Sequence, residues 1–388
     1  NGGDTLVALR YLQQHGWQTY AYFLSDRTIA DPLVADYVNQ NGSLAFLSKD
    51  PNFNQLDELI HSSPFLLDGI LGTGTHLPLR GSAQAVLQFL AGKEKLPYVI
   101  ALDCPSGVDC DSGEMDEATL PADWTICIAA VKQGLLRFPA FSCVGFLSVV
   151  DISLPSTLPS WGIGGEYCID ASFVAKNLPT RPLQAHKGTF GTTLAFAGSS
   201  SFPGAALLVG KAAYLVGGGL VKLASIPQVQ LAIAGSLPEV TWYLLKAEDS
   251  GFTYENEGTL KEILKKADSV LIGPGWGTAT LTSAFFVNLL GMIKEVPQPR
   301  LIIDADGLNL LAQNTDLFKK LPPNTVLTPH PGEMARLTGL SVAEIQRDRE
   351  EVARGFAKKW NCVLILKGAL TVVAAPDGKL AINPIATA

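Results

Sequence analysis

Short apolar runs alternate with amphipathic stretches along most of the chain. In its first part the runs TYAYFL (19–24), SLAFLS (43–48), FLLDGIL (65–71), YVIALD (98–103), TICIAA (125–130) and GFLSVVDI (145–152) read as strands. Between several of them lie stretches with helical spacing, such as FNQLDELIHSS (53–63) and SAQAVLQFLAG (82–92). Apolar strands separated by helices predict a parallel sheet covered on both faces. Ligands of such sheets bind at the carboxyl ends of the strands, where the loops gather.

The pattern changes over 155–182, where PSTLPSWGIGGEY and NLPTRP are rich in Pro, Gly and Ser. That composition predicts a connector between domains. The alternation restarts with GTTLAFAGS, LVKLAS, SVLIGPG, RLIIDADG, TVLTPHPG and CVLILKG. SVAEIQRDREEVARGFAKKW (341–360) predicts one helix, with Ser341 as N-cap and Glu344 three residues later. LTVVAAPDGKLAINP predicts a hairpin turning at Pro376-Asp377-Gly378. The reading is α/β throughout, with domains at 1–155 and 181–388 joined by 156–180, and no fixed period relates the two.

Composition narrows the class. At 388 residues, 47% hydrophobic and 17% charged, the chain can build two well-cored domains. A net charge of −7 offers no basic field for nucleic acid or an anionic membrane. No apolar run approaches the roughly 18–20 residues that span a bilayer. Six cysteines are scattered in apolar surroundings without a C-x-x-C pair. Buried reduced thiols are expected, and with them the cytoplasm or another reducing compartment. The five histidines are isolated, which argues against zinc.

Candidate chemistry falls just after the strands. LLDGILGTGTHLPLRG puts Asp68 inside an apolar strand ahead of a glycine loop. A carboxylate amid Phe65, Leu66, Leu67 and Ile70 needs a partner or a cation. VIALDCPSGVDCDSGE places Asp103, Ser106 and Asp109 at and beyond another strand end. NGGD, at Asn1–Asp4, lies ahead of a helix, where free N–H groups and the helix dipole favour phosphate. Each signal alone is equally consistent with turn or cap chemistry.

Together NGGD, LLDGILGTGTHLPLRG, LDCPSGVDCDSGE and ADWTICIAAVKQGLL resemble, in order and spacing, the YjeF-type N-terminal domain, the NAD(P)H-hydrate epimerase. The resemblance covers nearly all of 1–155 and implies a Rossmann-like fold. It implies that Asn1, Asp68 and Ser106 are oxygen ligands of K+. It assigns Gly2, Gly3, Asp4 and the loop Gly72, Thr73, Gly74, Thr75, His76, Leu77, Pro78 to the dinucleotide. Asp103 would contact the hydrated nicotinamide ring as the acid/base. The family's NNGGDG departs here at Thr5, which replaces the final glycine and is expected to begin the helix.

In the second part, HKGTFGTTLAFAGSSSFPGAALL is a strand, a small-residue loop and a helix start. SVLIGPGWG, LIIDADGLNLL, VLTPHPGEMARL and VLILKGALTVV follow in order, with Asp304, Asp306, His330, Glu333 and Lys367 near strand ends. A lysine directly after a buried strand is poorly explained by packing and commonly meets phosphate. Neither G-x-x-x-x-G-K-[ST] nor G-x-S-x-G occurs.

As a set these motifs resemble the ribokinase-like NAD(P)H-hydrate dehydratase domain over 181–388. The resemblance implies that Lys367, Gly368, Ala369, Leu370 and Thr371 bind ADP or ATP with Mg2+, and that Ala206, Gly277 and His330 contact the hydrated dinucleotide. The family pattern includes a strand ahead of NGGD and a G-x-G-D motif carrying the dehydratase base. Neither lies within 1–388, so this chain is expected to be incomplete for dehydration. The implied whole is repair of hydrated NADH and NADPH, by epimerisation and then nucleotide-driven dehydration; a homo-oligomer is compatible with it. The competing readings are a ribokinase-like vitamin-precursor kinase and a dinucleotide-binding fragment without catalysis.

Overall fold

The computed structural model describes residues 2–155, 166–248, 251–253, 257–297 and 299–386. They form two compact units, Asn1–Trp161 and Gly162–Ala388.

The first unit opens with α1 (Gly2–Gln14), β1 (Tyr20–Phe23), α2 (Pro32–Asn39) and β2 (Ser43–Phe46). It continues with α3 (Asn54–Ser62), β3 (Phe65–Asp68), α4 (Gly81–Ala91) and β4 (Tyr98–Leu102), and ends in β5 (Trp124–Ile128) and β6 (Phe146–Val150). Every strand read from the sequence is present. They lie in two parallel sheets, β1-β2 and β3-β4-β5-β6. Leu6 and Leu9 of α1 pack with Ala21, Val34 and Tyr37, while α3 and α4 bury Leu56, Ile60, Val86, Leu87 and Leu90. Free Cys104, Cys110, Cys127 and Cys143 share a third apolar cluster, and burial pushes the Cys127 and Cys143 thiols up to about 11.

The second unit begins with β7 (Glu166–Cys168) and α5 (Ala171–Asn177), which occupy part of the segment read as a connector. Then come β8 (Thr192–Phe196), α6 (Pro203–Leu215), β9 (Leu220–Ser225), α7 (Pro227–Ile233) and β10 (Thr241–Leu244). A small ribbon, β11 (Lys246–Glu248) with β12 (Gly251–Thr253), precedes α8 (Glu257–Lys265). The next elements are β13 (Ser269–Ile272), α9 (Thr280–Lys294), β14 (Arg300–Ile303), α10 (Asp306–Gln313), β15 (Val326–Leu327) and α11 (Pro331–Thr338). Last come α12 (Val342–Arg347), α13 (Arg349–Trp360), β16 (Val363–Leu366), β17 (Val372–Ala374) and β18 (Leu380–Ile382).

Ten strands join in one sheet, in the order β10-β9-β8-β13-β14-β15-β16-β17-β18-β7. It is parallel from β10 to β16, and the expected hairpin β17–β18 adds an antiparallel edge. β7 pairs with β18, so residues 166–168 belong to this sheet. β10, β11 and β12 were not legible as strands, being short and half exposed or outside any apolar run.

The helix expected over 341–360 is two helices. Ser341 and Glu344 form the expected capping box, but Asp348 leaves helical geometry at φ −145° and ψ 65°. Its carboxylate accepts from Glu351 N, so an acid inside the apolar repeat acts as the N-cap of α13. Asp348→Ala is expected to lower stability by about 1 kcal/mol, and Asp348→Asn by clearly less, measured as denaturation midpoints.

Candidate active sites

In the first unit Asp68 is the last residue of β3 and is buried. Its carboxylate accepts from Ser106 N at 2.7 Å, from Ser106 Oγ, and from Ile70 N at 3.4 Å. Ser106 Oγ in turn accepts from Leu71 N at 2.9 Å. These partners are neutral, and burial raises the Asp68 carboxyl above the ordinary carboxylate value against the pull of its hydrogen bonds. A buried carboxylate with neutral partners and a serine oxygen beside it is an oxygen-only donor set, which suits a hard cation. Asn1, expected as the third ligand, lies outside the described residues.

Asp103 follows β4 and takes left-handed backbone, φ 71°, a conformation uncommon for a residue with a side chain. Asp103 N donates to Ile126 O at 2.8 Å, which fixes the turn. Its carboxylate accepts from Ile128 N at 3.0 Å and from the Lys132 ammonium. Lys132 Nζ also donates to Ile128 O at 3.0 Å. Lys132 is the residue that sequence reasoning missed. Its signal was a lysine four residues after a buried strand, inside a motif already singled out.

Asp68 and Asp103 act on one neighbour: the Cys104 thiol is pushed up by its contact with Cys110, by burial, and by both carboxylates. The loop Gly72–Pro78 lies alongside, with Thr75 N and Oγ1 both donating to Gly72 O. A recess of about 340 Å³ is lined by Ile70 through Thr75. Thr73, Gly74, His76 and Pro78 are exposed, Leu77 is half-buried and Thr75 is buried.

Gly2, Gly3 and Asp4 form the first turn of α1; the helix does not wait for Thr5. The first-turn N–H groups keep their freedom to meet an anion, because a helix cannot satisfy its own first four donors. Thr5 instead meets the residue just after β3: a Cβ on Gly69 would stand 1.7 Å from Thr5 Oγ1. The residue that departs from the family pattern thus lies against a position held by glycine.

In the second unit β13 to β16 end side by side, and their loops are tied by ionic and polar contacts. Lys367 Nζ donates to Asp304 Oδ1 at 2.8 Å and stands 3.8 Å from Glu333 Oε2. Asp306 Oδ2 accepts from Gly277 N at 2.7 Å, and its other oxygen accepts from Asn309 Nδ2. Gly273, at φ 121°, cannot be replaced without collision, since a Cβ would stand 2.1 Å from Asp304 O. His330 is the N-cap of α11: Nδ1 accepts from Gly332 N and Glu333 N, while Glu333 accepts from His330 N. Accepting at Nδ1 leaves the neutral ring's proton on Nε2.

These contacts bring Gly277, His330 and Lys367 to one edge of the sheet. Ala206 is fully buried on α6, its Cβ 3.0 Å from where a Gly198 Cβ would be. In the segment 367–371, Thr371 Oγ1 donates to Gly368 O at 2.8 Å, Gly368 is exposed, Ala369 is half-buried, and Leu370 is buried at φ 56°. Arg349 underpins it by donating to Leu366 O and Lys367 O; burial lowers the guanidinium's affinity for its proton. Periodicity gave no signal for Arg349, because it stands where one continuous helix was expected.

A family profile described as NAD(P)H-hydrate dehydratase matches residues 193–388. One described as YjeF-related protein N-terminus matches residues 1–134. The bifunctional NAD(P)H-hydrate repair enzyme of Moorella thermoacetica is 34% identical over 389 residues, covering 99% of this chain and 72% of that protein. The protein of the same description from Thermofilum pendens is 34% identical over 391 residues, with the same coverage of 99% and 72%. Among solved structures, the ADP/ATP-dependent NAD(P)H-hydrate dehydratase from Bacillus subtilis, co-crystallized with ATP/Mg2+, is 31% identical. That match covers 56% of this chain and 72% of that one, with a TM-score of 0.46.

The contact between Thr5 and Gly69 makes a testable pair. Gly69→Ala is expected to cost about 1–3 kcal/mol, since a β-branched side chain on a helix has little room to turn away. Thr5→Gly in the same chain should recover most of that loss, and a double-mutant cycle on unfolding midpoints measures the coupling.

Proposed function

The chain belongs to the bifunctional NAD(P)H-hydrate repair enzymes, and we propose that it handles hydrated NAD(P)H at two separate sites, one in each unit. The first unit interconverts the R and S forms of the hydrate. The observation that carries this is the Asp103–Lys132 ion pair at a strand end, next to the buried Asp68–Ser106 pair.

The hydrate bears a hydroxyl on a carbon bonded to the ring nitrogen. The nitrogen lone pair expels that hydroxyl once it is protonated, leaving a planar iminium-like ring. Water then returns to either face, and the proton it gives up restores the catalytic pair. Asp103, paired with Lys132, is our choice to meet the substrate hydroxyl, so that the pair holds the proton that leaves with the hydroxyl and the carboxylate that takes it back. The Ile128 N–H fixes one carboxylate oxygen. Gly2, Gly3, Asp4 and Gly72–Pro78 hold the dinucleotide, with its phosphates at the first turn of α1. Asn1, Asp68 and Ser106 would hold K+, which supplies positive charge beside the dinucleotide. The neutral partners of buried Asp68 support that assignment.

The second unit removes water from the S form, driven by ADP or ATP. Hydroxide leaves poorly, whereas a phosphorylated hydroxyl leaves as phosphate with help from the ring nitrogen. Lys367–Thr371 binds the nucleotide, and its phosphates compete with Asp304 for the Lys367 ammonium. Gly277 and His330 contact the hydrate, with Ala206 beneath them. Mg2+ enters with the phosphates, its usual mode of binding. Among the described residues no group of three or more His, Cys, Asp or Glu forms an all-protein cage.

Two measurements test the first site. Asp103→Asn should slow interconversion of the two hydrate epimers, followed by chromatography, by about 10²–10⁴-fold. Amide hydrogen-exchange protection of β4 and β5 in the first unit should be unchanged, which separates lost chemistry from lost folding.

The second measurement concerns Asp68. Its carboxyl is raised by burial, so its contribution to stability is full below the ordinary carboxylate pKa and is lost as pH rises through the raised value. K+ in place of tetramethylammonium should restore it at neutral pH, by roughly 2.7 kcal/mol at a hundredfold excess over Kd. Asp68→Asn should flatten the pH dependence and abolish the K+ response. An equal K+ response in the variant would place the ion elsewhere.

A further inference from the structure

Lys367 has a second cation close by. Arg349, the first residue of α13, lies beneath the loop that follows β16. Its Nη2 donates to Leu366 O at 2.9 Å and to Lys367 O at 3.2 Å, and its Nη1 to Gln346 Oε1 at 2.6 Å. Nε is buried and has no hydrogen-bond partner among the described residues. All of these acceptors are neutral. Glu350 is the acid whose charge reaches the guanidinium, and burial still weakens its hold on the proton. The start of a helix is also the wrong end for a cation, because the dipole is positive there. A half-buried guanidinium that faces the dipole and bonds no carboxylate is a poor choice for packing alone.

The backbone above it supplies a reason. A Cβ on Gly368 would stand 3.2 Å from Arg349 Nη1 and 3.3 Å from Nη2, so the two amino nitrogens straddle that position. Gly368 also takes φ 140°, which an ordinary side chain rarely allows. The peptide between Lys367 and Gly368 is trans, and in a planar trans peptide the C=O and N–H point opposite ways. Lys367 O is turned to Arg349, so the Gly368 N–H is turned away from it.

The neighbouring donors are already used. Lys367 N donates to Pro329 O at 2.9 Å, and Leu370 N to Ile385 O at 3.0 Å. The Gly368 N–H has no protein partner among the described residues, and Gly368 is exposed. Thr371 repeats the device one peptide later: its Oγ1 holds Gly368 O at 2.8 Å, which turns the Ala369 N–H the other way.

We infer, on the reading of 367–371 as the nucleotide loop, that Arg349 is a positioning residue for the phosphates of a nucleoside di- or triphosphate. It draws the Leu366 and Lys367 carbonyls to the rear of the loop, which presents the Gly368 N–H at the front. It also places a positive charge one peptide behind that donor. A phosphate that takes Lys367 Nζ from Asp304 then meets the Gly368 N–H as well. Arg349 touches no ligand and acts through the backbone. A lysine at this position would carry the charge without the planar fork that spans two carbonyls.

The test is calorimetric titration of the chain, and of Arg349→Gln and Arg349→Lys, with adenosine and with ADP. Arg349→Gln should weaken ADP binding by about tenfold or more and adenosine binding by less than about twofold, because the residue acts on the phosphates. Arg349→Lys should fall between the parent and Arg349→Gln for ADP, again with adenosine unaltered. With the glycines isotope-labelled, ADP should move the Gly368 amide resonance in the parent and move it much less in Arg349→Gln. Thermal melts report the folded fraction of each variant. Should Arg349→Gln not fold, Arg349→Lys decides, by a loss of about threefold or more for ADP alone. Equal losses for adenosine and ADP in a folded variant would make Arg349 a scaffold residue and overturn the assignment. Full ADP affinity in either variant would overturn it too. A parent chain that binds no ADP would overturn the nucleotide reading of 367–371 itself, an outcome distinct from both.

Discussion

A carboxylate at the end of a buried strand must be paired, and much of the chemistry in both units follows from that constraint. Leaving a charge unpaired in an apolar surround costs far more than one good contact returns. In the first unit Asp68 draws in Ser106 from the loop after β4, and Asp103 draws in Lys132 from the loop after β5. In the second, Asp304 holds Lys367 across the position of β15, and Asp306 holds the backbone of Gly277. Each acid thereby fastens one loop to another. The parallel sheet supplies the reason they can meet, since all its strand ends share one edge. An antiparallel sheet of the same sequence would send alternate acids to opposite ends.

The two acids of the first unit show how environment divides roles. Asp68 has neutral partners and complete burial, so its carboxyl is raised and calls for a cation. Asp103 has an ammonium beside it, on a strained turn at the rim. One is suited to holding charge in place and the other to exchanging a proton. Two carboxylates near the same buried thiol therefore do different work, because one is paired within the protein and the other is left to a ligand.

The sheets were legible because buried parallel strands leave continuous apolar runs, and those survive in one sequence. Asp68, Asp103 and Lys367 were legible for the complementary reason, as polar residues that interrupt or end such runs. Lys132, Arg349 and Asp348 were not. Lys132 and Arg349 act through contacts made only when distant segments meet; a place shortly after a strand is a weak mark for Lys132, and nothing local marks Arg349. Asp348 sits at a position where a solvated acid and a helix break look alike; the choice is made by its own φ and ψ. Residues 166–168 read as connector because Pro and Gly surround them, yet β18 offered them an edge. Gly2–Asp4 read as a loop because glycine is a poor helix former, a cost that the first turn tolerates.

The start of α1 and the end of β3 belong together in the candidate epimerase site. Gly2, Thr5, Asp68 and Gly69 line a common cleft. Leu67 of β3 packs on the cluster that Leu6 and Leu9 of α1 form, and Thr5 stands against Gly69 with no space for a methyl group between them. Apolar packing on one side of the helix and a glycine contact on the other thereby set the distance between the helix N-terminus and Asp68. The phosphates are expected at the first of these and the ion at the second, so the packing of α1 on β3 is a step in building the site.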